Sequence, residues 1–147
     1  MKFKCDFVTN SSSSSYIAVF AKINNANAHK AMKIVKKYNL YDCLMEGSEI
    51  LEKMKSRWFC ELGADWAGVD LTPDKSEIEE NAKYIFWEEC GGAGDGDYAF
   101  DTSGNGDMNY DVDVSDFRDE EQEIFDAINK DNGFENIEKG YGAGRNG

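Results

Sequence analysis

Asp6-Phe7-Val8-Thr9-Asn10-Ser11-Ser12-Ser13-Ser14-Ser15-Tyr16-Ile17-Ala18-Val19-Phe20 sets two apolar segments on either side of five consecutive serines. The upstream flank alternates, with Phe3, Cys5 and Phe7 on one side and Lys2, Lys4 and Asp6 on the other, the period of a half-buried strand. The downstream flank, residues 16–23, is apolar almost without interruption, as expected of a strand covered on both faces. The serines between them read as a polar turn, because Ser bonds its own backbone and competes with regular ladders. A hydroxyl-rich contact surface or a phosphorylation site is the alternative reading. No Lys or Arg lies between Lys4 and Lys22, which speaks against a phosphate contact. The remaining chain is expected to pack on this strand pair.

Residues 6–16, D-F-V-T-N-S-S-S-S-S-Y, carry a resemblance. The string is similar to the opening of a scattered set of uncharacterised bacterial and bacteriophage proteins, mostly from Firmicutes, that share D-F-V-T-N-S-S-S-S-S followed by Phe or Tyr. The resemblance implies a phage-linked or mobile-element setting in a bacterial cytoplasm and no particular activity.

The chain has 147 residues, 41% hydrophobic and 13% aromatic, enough for one domain with its own core. One proline and 14 glycines do not fit a disordered or repeat protein. No apolar run approaches the roughly 20 residues of a membrane span, and no signal peptide is expected, so the protein reads as cytoplasmic with no membrane partner. Four cysteines, at positions 5, 43, 60 and 90, are too far apart for a C-x-x-C site and read as buried reduced thiols. His29 is the single histidine and reads as a surface residue with no triad partner.

Charge is the strongest global signal. The net value is −13, unevenly spread: residues 1–60 hold ten Lys or Arg against five Asp or Glu, whereas 61–147 hold six against 24, a net of −18. An acidic half excludes direct nucleic-acid binding by that surface and favours a basic protein partner, bound cations or solubility.

In chain order, Asn27 is expected to cap a helix over 28–43, with Ala28, Ala31, Met32, Val35 and Tyr38 inward and Lys30, Lys33, Lys36 and Lys37 in water. Ser48 is expected to cap a second helix reaching about 63, with Ile50, Leu51, Met54 and Trp58 as its apolar stripe. A short strand follows over 66–71. Thr72-Pro73 then opens a short helix to about 83, and a strand runs to 89. Residues 90–96 are a Gly-rich connection, in which Asp95 and Asp97 speak against a phosphate cradle. Two strands over 98–100 and 108–114 flank Asn105-Gly106, a strong hairpin signal, with Asp111 and Asp113 on one face. Ser115 or Asp116 caps a last helix with Phe117, Ile124, Phe125 and Ile128 inward and Asp119, Glu120, Glu121, Glu123 and Asp126 outward. Residues 134–138 form an edge strand, and 140–147 a flexible Gly-rich tail.

Asp101, Ser103, Asn105, Gly106 and Asp107 match the early positions of an EF-hand-type calcium loop, in which alternate oxygens wrap the ion. Val112 replaces the bidentate acid of position twelve, and the flanks read as strands rather than helices. The hairpin is the preferred reading and Ca2+ or Mg2+ binding the alternative.

The sequence therefore predicts a single α+β domain over 1–139, an antiparallel sheet of about five or six strands covered by three or four helices. The expected function is non-catalytic: an acidic protein that docks on a basic, nucleic-acid-binding groove of a host protein by mimicking nucleic acid. Asp107, Asp111, Asp113, Asp119, Glu120, Glu121 and Glu123 are the expected contacts. The rivals are an ion-binding protein using Asp101, Ser103, Asn105 and Asp107, and an acidic domain whose charge serves solubility.

Overall fold

The computed structural model describes residues 13–59, 62–64, 69–93 and 119–145. The fold is a single α+β domain. Its strands are β1 (Ser13–Ile23), β2 (Leu44–Glu46), β3 (Gly63–Ala64), β4 (Val69–Asp70), β5 (Lys83–Ala93) and β6 (Phe134–Arg145). Its helices are α1 (Ala28–Tyr38), α2 (Gly47–Met54) and α3 (Asp119–Lys130). Four strands form an antiparallel sheet in the order β2-β5-β1-β6, and β3 pairs with β4 in a separate two-stranded sheet.

Strand β1 is central because its side chains are apolar on both faces. Ile17, Val19, Ala21 and Ile23 join Ile85 and Trp87 of β5 beneath Ala31 and Val35 of α1 and Ile124, Phe125 and Ile128 of α3. Tyr16, Ala18 and Phe20 point the other way, joining Tyr84 and Phe86 of β5, Met45 of β2, Ile50 of α2 and Leu71 beyond β4. The period-two alternation thus divides one sheet between two cores. Helices α1 and α3 cover one face; α2, the β3–β4 pair and the loop over 71–82 cover the other.

Several sequence expectations are corrected. Ser13, Ser14 and Ser15 are not a turn: they belong to β1, paired with Gly91, Gly92 and Ala93 of β5 and with Ala143, Gly144 and Arg145 of β6. Two neighbouring strands supply ladder partners on both sides, and those outweigh the serine's local preference. The same pairing carries β5 through Ala93, into the expected connection, and β6 through Arg145, into the expected tail.

Helix α1 stops at Tyr38 rather than 43. Asn39 adopts a left-handed conformation, φ 54° and ψ 57°; its N–H donates to the Lys36 carbonyl, and the Leu40 N–H donates to that of Val35 at 2.8 Å. This is a Schellman motif closed by buried Leu40. Asn27 makes no side-chain cap; Asn24 does, accepting from Ala26 N–H at the head of a 3-10 turn.

Ser48 is not the cap of α2 either. The helix starts at Gly47, whose N–H donates to Ala82 O (2.8 Å) while Ser48 N–H donates to Glu80 O (3.0 Å). Backbone carbonyls of a distant loop thus take the place of a capping side chain. Helix α2 ends at Met54 rather than near 63, and Trp58 lies beyond it, 76% exposed, with the Arg57 guanidinium 4.8 Å from the ring centroid. The expected helix over 73–83 is only a 3-10 turn, Lys75–Glu77, capped by Asp74. Its continuation stays irregular, presenting the carbonyls that start α2 and burying Ile78 and Ala82. The expected strand over 66–71 is described only at β4. The first strand, the hairpin at 98–114, the cap of the last helix at 115–116 and three of the cysteines fall outside the residues whose side chains are described. His29 is exposed, as expected, whereas Cys43 is free but only half-buried rather than buried.

Candidate functional site

Helix α3 carries the expected acidic contacts whose surroundings are described. Ile124, Phe125 and Ile128 seat it on the sheet, and the residues three and four positions from Ile124 and Phe125 share that face. Glu121 is one of them and is buried at 8% exposure, not on the solvent side where the sequence reading places it. The spacing 121, 124, 125, 128 is the legible signal, since it is the core stripe of an amphipathic helix. Glu120 is exposed, and so is Glu123. Glu123 is engaged: it accepts a hydrogen bond from Tyr38 Oη at 2.9 Å and lies 3.7 Å from Lys37 Nζ, tying α3 to the end of α1. Burial, then the hydrogen bond to Glu123, pushes the Tyr38 hydroxyl above its ordinary pKa. Asp119 belongs to the first turn of α3. Asp107, Asp111 and Asp113, with the ion-loop residues Asp101, Ser103 and Asn105, lie outside the described residues.

The structure brings together a second acidic region that sequence reasoning does not single out. Gly47 packs so closely on the loop that a Cβ there would sit 1.8 Å from Glu79 O. This contact sets Glu79 and Glu80 against the start of α2, which Glu46 of β2 precedes and Glu49 follows, and all four acids are exposed. The residues are separated by thirty positions in the chain, so no local pattern announces them. Glu79 also pairs with Lys22, whose ammonium reaches Glu135 of β6 at 3.3 Å. The Lys22 side chain is only 12% exposed. Its pKa is raised chiefly by the hydrogen bond to Glu79; burial opposes this, and Glu135 adds to it.

On the same face a cavity of about 500 Å³ lies beside a bulge in β6, where Asn136 takes φ 53° and the register with β1 shifts between Phe20 and Lys22. Phe20 and Tyr84 line it, their rings stacked at 5.4 Å, with Glu77 and Glu138 also in its wall. Tyr84 Oη accepts from Glu79 N–H at 2.9 Å. On the opposite face, a groove between α1 and α3 is lined by Lys30, Lys33, Lys37 and Lys130. Among the described residues no group of three or more His, Cys, Asp or Glu converges to hold a metal ion. Among the same residues no helix is long and apolar enough to cross a membrane.

The fold and these surfaces define a small α+β protein with an acidic patch beside α2 on one face and, on the other, a lysine-lined groove between α1 and the acidic helix α3. No family model matches the chain, and no curated protein or solved structure matches it.

Proposed function

We propose that the protein is a small non-catalytic binding protein, of the phage or mobile-element kind that residues 6–16 resemble. Its acidic half docks on a basic, nucleic-acid-binding groove of a host protein in the bacterial cytoplasm. The observation that carries this reading is the net charge of −18 over residues 61–147. Carboxylates at this density stand in for backbone phosphates, and complementary charge steers association and weakens with salt. Exposed Glu120, with Asp107, Asp111, Asp113 and Asp119, makes up the principal contact. Glu121 serves the core and Glu123 the α1–α3 contact, so both leave the set of proposed contacts.

The test is capture of partners from bacterial lysate at low and high salt, with the variant D107K/D111K/D113K/E120K alongside, followed by competition with duplex DNA for whatever is captured. The reading expects a nucleic-acid-binding protein that is released by salt, by DNA and by the charge reversal. Capture that ignores the reversal, or that DNA does not compete, overturns it.

The oxygen pattern at Asp101, Ser103, Asn105 and Asp107 favours a second reading, calcium or magnesium binding. It expects millimolar calcium to raise the melting temperature and D101A/N105A to abolish the rise. An unchanged melting temperature at saturating ion dismisses it.

A further inference from the structure

Positive charge is concentrated on α1. Helix α1 carries Lys30, Lys33, Lys36 and Lys37 in 11 residues and no acid. Helix α2 intersperses opposite charges, with Lys55 beside Glu52 at its end, whereas α3 has the reverse bias, five acids and Lys130, which lies beside Asp126. Like charges three or four positions apart destabilise a helix by about 0.2–0.5 kcal/mol per pair, so α1 is built against its own stability. A solvated amphipathic face alone does not need this arrangement, as α2 demonstrates.

Lys30, Lys33 and Lys37, spaced three and four apart, share one side of α1. That side forms a wall of a groove of about 630 Å³, whose facing wall is Lys130, Asp131 and Asn132 at the end of α3. Such a volume lies within the roughly 300–1,000 Å³ typical of small-molecule sites. Lys37 and Lys130 have long ion pairs, 3.7 Å to Glu123 and 3.6 Å to Asp126. Lys30 and Lys33 have no ion pair among the described residues. Asp131 is the one acid in the lining, and its Oδ1 is held in the turn after α3 by a 2.6 Å hydrogen bond from Gly133 N–H, so the four lysines outnumber it. Four lysines therefore line one space.

We infer that the α1–α3 groove binds a compact anion carrying two or more linked phosphate groups. Lysine ammonium groups suit phosphate as point charges. From Lys30 to Lys37 the helix rises about 10 Å, a length matched by a chain of a few phosphates. A long nucleic acid is disfavoured, since beyond the groove it would run over a protein whose net charge is −13. The ligand class is thus a free polyphosphate or the polyphosphate of a nucleotide.

The test is calorimetric titration of the full chain with sodium tripolyphosphate, and separately with ATP, without magnesium and at low ionic strength. Saturable binding is expected, with affinity at least tenfold lower in K30Q/K33Q and unchanged in K53Q/K55Q on the far side of the sheet. Removing like charges from α1 should leave folding intact, and an unchanged circular dichroism melt verifies it. Tighter binding of ATP than of tripolyphosphate identifies a nucleotide, and equal binding identifies the phosphate chain alone; both support the site. Absence of saturation at millimolar ligand overturns it. So does an equal loss in K53Q/K55Q, or tighter binding of a 20-nucleotide single strand than of either probe.

Discussion

At the scale of single residues, Asn39 and Lys22 hold strained or buried positions that substitution can interrogate. Asn39 ends α1 at φ 54°, a conformation that a Cβ disfavours by about 1–2 kcal/mol in most residues but that Asn and Gly tolerate. Asn39→Ala should lower unfolding stability by about 1 kcal/mol, while Asn39→Gly should be neutral or slightly stabilising. Equal effects in urea denaturation would remove the left-handed cap as the reason the helix stops. Lys22 joins Glu79 to Glu135 and titrates above the ordinary lysine value of 10.5. A folded-state pKa above the unfolded one means that the stabilisation is complete below the unfolded value and is lost as pH rises through the folded one. The deficit of Lys22→Met relative to the native protein should therefore be constant from neutral pH to about pH 9.5 and shrink above about pH 10.5. Denaturation at three pH values checks this, and a deficit that persists undiminished at the highest pH assigns the role of Lys22 to packing.

At the scale of elements, the start of α2 separates local from tertiary control. Gly47 and Ser48 donate their N–H groups to Ala82 and Glu80, and the Gly47 Cα lies against Glu79. Gly47→Ala should cost about 2 kcal/mol or more, since the clash is with backbone that must move. Ser48→Ala should change stability by less than about 0.5 kcal/mol, against the roughly 1 kcal/mol expected if its hydroxyl capped the helix. Thermal unfolding of the two variants decides between the tertiary and the local start. This junction also explains what was legible in the sequence. Strands β1 and β5 were legible because alternation between two cores is written in consecutive residues, and α3 because its apolar stripe is local. Asn39 followed by Leu40 is a readable helix stop that the apolar period of α1 obscured. The segment 73–83 was not legible as a loop, because what keeps it irregular is the service of its carbonyls to α2. The extension of β1 into the serines was hidden likewise, since its partners lie 76 or more positions away, in β5 and β6. Of the candidate contacts, the burial of Glu121 was legible from its spacing to Ile124, Phe125 and Ile128, whereas the pairing of Glu123 with Tyr38 required the antiparallel packing of α3 on α1.

At the scale of the whole molecule, charge opposes folding as well as serving recognition. Twenty-nine acids against 16 bases leave a compact chain at −13, and self-repulsion in the folded state exceeds that in the expanded one. Two effects of salt compete. Screening weakens attractive pairs such as Lys37 with Glu123, both of them well exposed, and an exposed pair contributes little. Screening also weakens the repulsion among the excess carboxylates, which acts over longer distances. The Debye length falls from about 30 Å at 0.01 M to about 8 Å at 0.15 M, so repulsion across the domain is removed before contact pairs are. Stability should therefore rise between these ionic strengths and the melting temperature increase by several degrees, with sodium chloride and potassium chloride equivalent. The charge-reversed variant D107K/D111K/D113K/E120K, less acidic by eight charges, should show a smaller rise. A melting temperature that falls with salt would mean that the acids are compensated locally within the fold. They would then be unavailable to a basic partner, and the nucleic-acid-mimic reading would lose its electrostatic basis.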